Sequence, residues 1–175
     1  DFALHPDGDG GPASRWAQAA VVGTQTVVTG GRGAYRIDET ADWTVLVGDE
    51  TALPAIGTIL DDAVERGLDR PIIVIAEVVD ATDEIALPDA PATTVRWVHR
   101  GHGTAGEAGA QALIDADLPA GSGRAWVGLE AAAMRTARRH LLHERGFDRA
   151  ALHTRAYWKR GAGGHRDSDS GEDVD

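Results

Sequence analysis

Cysteine is absent from this 175-residue chain. Its absence excludes disulfides, thiolate zinc sites and iron–sulfur clusters, so redox chemistry here requires a bound organic cofactor. No apolar run approaches the roughly 20 residues needed to cross a bilayer, and no signal peptide is visible. A cytoplasmic protein without membrane insertion is the expectation. Positive charge is scarce: 17 Lys and Arg stand against 28 Asp and Glu, for a net charge of −11. A uniformly acidic surface repels phosphate backbones and argues against nucleic acid as a partner. With 42% apolar residues the chain suits one compact domain plus extra segments, and a monomer is expected.

The first 40 or so residues are β-like with one short helix. Residues 1–5 alternate like a strand, and with no initiating methionine the chain reads as a fragment of something longer. A turn-rich stretch, 6–11, leads to Pro12 at the first position of a helix over 13–20. Residues 24–29 are β-branched and read as a strand, 30–33 as a turn, and 38–42 as a polar link. From Trp43 onward strand and helix patterns alternate. Strands are expected at 43–47, 72–78, 93–98, 124–129 and 151–157. Helices are expected at 52–66, 105–116 and 130–145, the last with Gly146 as its C-cap. The link 79–92 holds Pro88 and Pro91 and is expected to be irregular. Near-continuous apolar runs such as Ile72-Ile73-Val74-Ile75-Ala76 indicate strands covered on both faces, as in a parallel sheet. Right-handed crossovers then give the strand order 3-2-1-4-5. The fold class is therefore α/β, a five-stranded parallel doubly wound sheet over 41–160. The stretch 161–175 has almost nothing apolar and is expected to be a disordered acidic tail.

Ligands of such sheets bind outside the carboxyl ends of the strands, at the switch point. The loops after the first and fourth strands, 48–51 and 128–132, flank that crevice. Gly48-Asp49-Glu50-Thr51 is not a G-x-G-x-x-G loop, and its two carboxylates repel phosphates. Asp49 and Glu50 suit a helix start as well as they suit a ligand role. Thr51 and Pro54 are better candidates for lining a pocket, and Pro54 is tolerated in a first helical turn. Ahead of the short helix, Gly10-Gly11-Pro12-Ala13-Ser14 offers free N–H groups and a hydroxyl to an anion, with His5 ending the preceding strand. Glu77 ends the second strand, where an acid holds ribose hydroxyls or is simply solvated. Arg96 and Arg100 flank the end of the third strand and could meet a ribose 2′-phosphate or be ordinary surface charge. His99 and His102 lack further ligands at suitable spacing, so no metal site is expected. His140 and His143 read as solvated residues near a helix end. Tyr157-Trp158-Lys159-Arg160 closes the fifth strand. It could stack on an aromatic ligand and attract an anionic partner, or act as a hydrophobic lid over the sheet edge.

Taken together, these stretches resemble the siderophore-interacting protein family of flavin-dependent ferric-siderophore reductases, related to ferredoxin–NADP reductases. The matching pieces are Asp1-Phe2-Ala3-Leu4-His5 with Gly11-Pro12-Ala13-Ser14-Arg15-Trp16-Ala17; Gly31-Arg32-Gly33-Ala34-Tyr35; Asp42-Trp43 through Gly48-Asp49-Glu50-Thr51-Ala52-Leu53-Pro54-Ala55-Ile56; Trp97-Val98-His99-Arg100; Ala125-Trp126-Val127-Gly128-Leu129-Glu130 with Arg135; and Tyr157-Trp158-Lys159-Arg160-Gly161. The resemblance implies an N-terminal FAD-binding β-barrel and a C-terminal NAD(P)H-binding α/β domain. Residues 1–40 would be the last strands and short helix of that barrel. The family's Arg-x-Tyr-Thr-type flavin motif belongs to the barrel before residue 1. Electrons are expected to pass from NADH or NADPH through FAD to siderophore-bound iron(III), releasing iron(II). By resemblance, His5, Gly11, Pro12, Ala13 and Ser14 lie near the FAD pyrophosphate or adenine. Thr51 and Pro54 face the nicotinamide, with Gly48, Asp49, Glu50, Gly128 and Glu130 lining the same crevice. Trp158 sits near the flavin ring beside Tyr157, and Lys159 and Arg160 meet the anionic ferric siderophore.

Two other classes compete with this reading. A non-catalytic remnant would bind a nucleotide or a partner without flavin. A signalling receiver domain would need an aspartate ending the third strand, where this chain has Val98-His99.

Overall fold

The computed structural model describes residues 12–27 and 35–162. The chain divides into two units, 1–35 and 36–175. In the first unit, helix α1 covers Pro12–Ala19, with proline at its first position where no N–H is needed. A turn at 21–24 follows. Thr24 N–H donates to the Val21 carbonyl at 2.9 Å, and Gly23 takes the positive φ of 95° that this turn demands. The strand expected at 24–29 does not form over 24–27, which carry no regular structure. A β-branched run becomes a strand only where a neighbour takes its hydrogen bonds. Residues 28–34, the first eleven residues and 163–175 lie outside the described residues, and with them the expected strand at 1–5, most of the acidic tail, His5 and Gly11.

The second unit is the doubly wound sheet. Strands β1 (Trp43–Gly48), β2 (Ile72–Val78), β3 (Thr93–His99), β4 (Gly123–Glu130) and β5 (Leu152–Trp158) lie parallel in the order β3-β2-β1-β4-β5. Helices α2 (Leu53–Glu65), α3 (Glu107–Ile114) and α4 (Ala131–Arg139) make the crossovers. Between β2 and β3 only a single 3₁₀ turn, Ala81–Asp83, interrupts the expected irregular link. Alternation along the strands sorts the core. Val45, Val47, Ala125, Val127 and Leu129 join α3 and α4 residues such as Leu113 and Met134 in one buried cluster. On the opposite face α2 sits so close that glycine is required beneath it. A Cβ on Gly48 would lie 2.6 Å from the Ala52 Cβ, and one on Gly128 would lie 3.2 Å from it.

The expected helix 130–145 differs at both ends. Glu130 is the last strand residue and the N-cap, and α4 gives way to a π turn over His140–Glu144. There Arg145 N–H donates to the His140 carbonyl, five residues back, and Phe147 N–H to that of Leu141. Gly146 follows with φ 71°, as a C-terminal glycine should. His140 is buried rather than solvated. Its Nε2 accepts from Arg145 Nε–H at 3.1 Å, and its Nδ1 donates to Glu144 at 3.0 Å. The segment ahead of the sheet is also tied down: Arg124 pairs with Asp38, and Arg66 with Glu39 and the Ile37 carbonyl.

Candidate functional site

The carboxyl ends of β1, β4 and β5 converge on one buried carboxylate, Asp49. It follows Gly48 directly, at the point where β1 turns toward α2. Oδ1 accepts from the Thr51 N–H at 3.0 Å and the Thr51 hydroxyl at 2.5 Å. Oδ2 accepts from the Glu130 N–H at 3.1 Å and the Trp158 indole N–H at 2.9 Å. Four donors thus satisfy a side chain with 0% exposure. Burial pushes its pKa up, and the hydrogen bonds from Thr51 and Trp158 only partly oppose that. Of the two sequence readings of Asp49, helix-start residue and ligand contact, the first holds in part, since it accepts from the Thr51 N–H at the turn into α2; the side chain is also an internal tie between β1, β4 and β5. Thr51 is half-buried beside it, and Pro54 is exposed on the first turn of α2.

Trp158 reaches Asp49 because the β4–β5 register slips. Leu129 pairs with Ala156, yet Glu130 pairs with Trp158, which leaves Tyr157 as an extra residue. Such bulges re-aim side chains next to functional sites. Tyr157 stands edge-on to Trp126, with ring centroids 5.9 Å apart. Glu130 completes this side. Its Oε2 accepts from Ala132 N–H at 2.6 Å, capping α4, and its Oε1 from Arg160 N–H at 3.2 Å. Burial raises the Glu130 pKa, but the N–H groups of Arg160, Ala132 and Ala133 outweigh it and hold the carboxyl below its ordinary value. Past Trp158 the chain turns at Gly161, with Ala162 N–H donating to the Lys159 carbonyl. Among the described residues, the exposed side chains of Lys159 and Arg160 make no ion pair, and Lys159 is the one lysine in the sequence.

The β2–β3 side is closed by a second buried acid. Glu77 has 0% exposure and accepts from the N–H groups of Gly106 and Gly109, both at 2.6 Å. It therefore fills the N-terminus of α3, the position where a helix would otherwise take an anion. Burial raises its pKa against those two bonds and the Arg100 charge. Neither a ribose-binding acid nor a solvated one describes it: a fully buried carboxylate needs internal donors, and the two glycines supply them. Arg100 bridges Glu50 at 2.5 Å and Glu77 at 3.4 Å, so it is not ordinary surface charge either. Arg96 donates to the Ala112 carbonyl at 3.4 Å, and His99 pairs with Glu84 at 2.7 Å. No cluster of metal-ligating side chains occurs among the described residues. None of the described helices is long and apolar enough to cross a membrane.

A family model described as siderophore-interacting protein matches residues 41–161. The chain belongs to the siderophore-interacting protein family. A siderophore utilization protein from T. fusca superposes with a TM-score of 0.77 at 35% identity, over 94% of this chain and 61% of that one. The ferric vibriobactin reductase ViuB of Vibrio cholerae is 31% identical over 92% of this chain and 58% of its own length. The mycobactin import ATP-binding/permease protein IrtA of Mycolicibacterium smegmatis is 36% identical over 92% of this chain, which is 18% of that protein. The chain thus spans about three-fifths of ViuB and of the T. fusca protein.

Of the residues singled out in the sequence, the structure brings together Gly48, Asp49, Thr51, Gly128, Glu130 and Trp158. Gly48 and Gly128 are explained by close packing of α2, and Tyr157 by its contact with Trp126. Glu50 stands on the far side of the loop with Arg100. Pro12 and Ala13 are exposed and Ser14 is buried in α1, within the other unit. The roles of Glu77 and of Gly106 and Gly109 escaped sequence reasoning. The only signal was an acid ending an otherwise apolar strand, followed by a glycine-rich helix start.

Proposed function

We propose that this chain is the NAD(P)H-binding part of a flavin-dependent ferric-siderophore reductase. The observation that carries this reading is the Asp49 hub. It fastens Thr51 and Trp158 to one carboxylate at the carboxyl ends of β1, β4 and β5, where α/β sheets bind their ligands. The reductase name of ViuB supports the same assignment. Helix α2 begins without a side-chain cap and without an acid in its first turn, whereas carboxylates already fill the starts of α3 and α4. Pro54 removes one N–H from that turn, so the start of α2 suits the uncharged nicotinamide end of a dinucleotide rather than its phosphates. FAD, when bound, accepts a hydride and returns electrons singly. The chain's own residues do the rest. Thr51 and Pro54 present the nicotinamide face, and Trp158, fixed through its indole N–H, holds a flat apolar surface beside the flavin. Lys159 and Arg160, which make no ion pair among the described residues, offer positive charge to an anionic ferric siderophore. Residues 1–40 are then the end of the flavin barrel, and the place of action is the cytoplasm.

The test uses the 175-residue chain with FAD added, then NADH or NADPH, followed by visible absorption. A bound flavin band that bleaches, and recovers on adding a ferric siderophore, is the expected result. A folded chain that binds neither FAD nor a dinucleotide would overturn it in favour of a non-catalytic remnant.

A further inference from the structure

Sheet order gives the Glu50–Arg100 bridge a position that neither residue has alone. Glu50 follows β1 and Arg100 follows β3, and β2 lies between those strands. A contact of 2.5 Å between them must therefore cross above the carboxyl end of β2. Glu77, at that end, is turned into the protein and spent on Gly106 and Gly109, and it contacts Arg100 from below. In a doubly wound sheet this corner receives the adenosine ribose, and a free arginine there accepts a 2′-phosphate. Arg100 is not free. Its guanidinium lies between two carboxylates, and its side chain is only 13% exposed. The outward group is Glu50, with a side chain 34% exposed, and it can accept a hydrogen bond from a ribose 2′-hydroxyl.

We infer that Glu50 is a specificity-determining residue and that the Glu50–Arg100 bridge selects NADH over NADPH. This rests on the proposed dinucleotide site. A 2′-phosphate would approach Glu50 with like charge and find its natural partner already neutralised. A 2′-hydroxyl meets an acceptor and leaves the bridge intact. Gln at position 50 keeps the acceptor oxygen but loses the charge that holds Arg100.

The experiment is calorimetric titration of the 175-residue chain with NADH, NADPH, AMP and adenosine 2′,5′-bisphosphate. Wild type, Glu50→Gln and Glu84→Gln are compared at low salt. The inference expects wild type to bind NADH about tenfold or more tighter than NADPH. It expects Glu50→Gln to tighten NADPH and the bisphosphate severalfold while NADH changes little. Glu84→Gln, which touches only the His99 pair, keeps the wild-type ratio. Equal binding of the two dinucleotides by wild type would overturn the inference, as would a ratio unmoved by Glu50→Gln; both leave the dinucleotide site standing. No binding of either dinucleotide would overturn the site and the inference together.

Discussion

Asp49→Asn is the most informative single change at the residue scale. An amide keeps one acceptor oxygen, so two of the four donors that face Asp49 would meet an NH₂ group instead. Leaving buried donors unpaired costs about 1–3 kcal/mol. Urea denaturation should show that loss. The five tryptophans give five indole N–H resonances. That of Trp158 should move upfield as its carboxylate partner is lost, while that of Trp43, at the other end of β1, stays in place. An unmoved Trp158 resonance would mean that the indole is not tied to Asp49. Trp158→Phe removes the indole N–H as Trp158→Ala does, and so separates the ring surface from the Asp49 bond. It keeps an aromatic surface, so it should slow flavin bleaching far less than Trp158→Ala, as measured by stopped-flow absorbance.

Elements here meet through backbone contacts that a side chain cannot share. Gly48→Ala would drive a Cβ into Ala52 at 2.6 Å and Ile56 at 3.0 Å, shifting the start of α2. Overpacking of this kind costs about 1–3 kcal/mol. Gly67→Ala has open space around it, but its φ of 63° makes it a strain control rather than a packing one. Thermal melts compare the two. Glu77→Gln should fray the first turn of α3, seen as faster amide exchange at Gly106 and Gly109 with α2 unaffected. The strands of the sheet and the helices between them were legible in the sequence. Apolar runs such as 72–76 fixed the parallel strands, and most boundaries fell within two residues. The ties between elements were not. Glu77 reads as a solvated or ribose-binding acid because its partners are glycine N–H groups 29 and 32 residues away. Periodicity carries no trace of such a pairing. Tyr157 and Trp158 stand out in the sequence as an aromatic pair closing the fifth strand, but the bulge that aims them depends on pairing with β4, which no local pattern encodes.

For the molecule as a whole, acid should act through the ties ahead of the sheet. Thr40 and then Arg124 hold the Asp38 carboxyl down to about 2, against 3.8 ordinarily. Its stabilising contribution is thus complete above the ordinary value and lost as pH falls through about 2. In Asp38→Asn the melting temperature should fall less steeply from about pH 4 to about pH 2. Glu77 and Asp49 act with the opposite sign, since burial raises both and the folded chain keeps their protons longer as pH rises. A steeper acid limb in Asp38→Asn would contradict the assignment. The Asp49–Trp158 bond also has a bearing on synthesis. Its two ends are 109 residues apart in sequence. A ribosome therefore delivers the acid long before the indole that covers it. The nascent sheet must wait with that side of the crevice unfinished, so a chain stalled before β5 leaves the Asp49 carboxylate without one of its four donors.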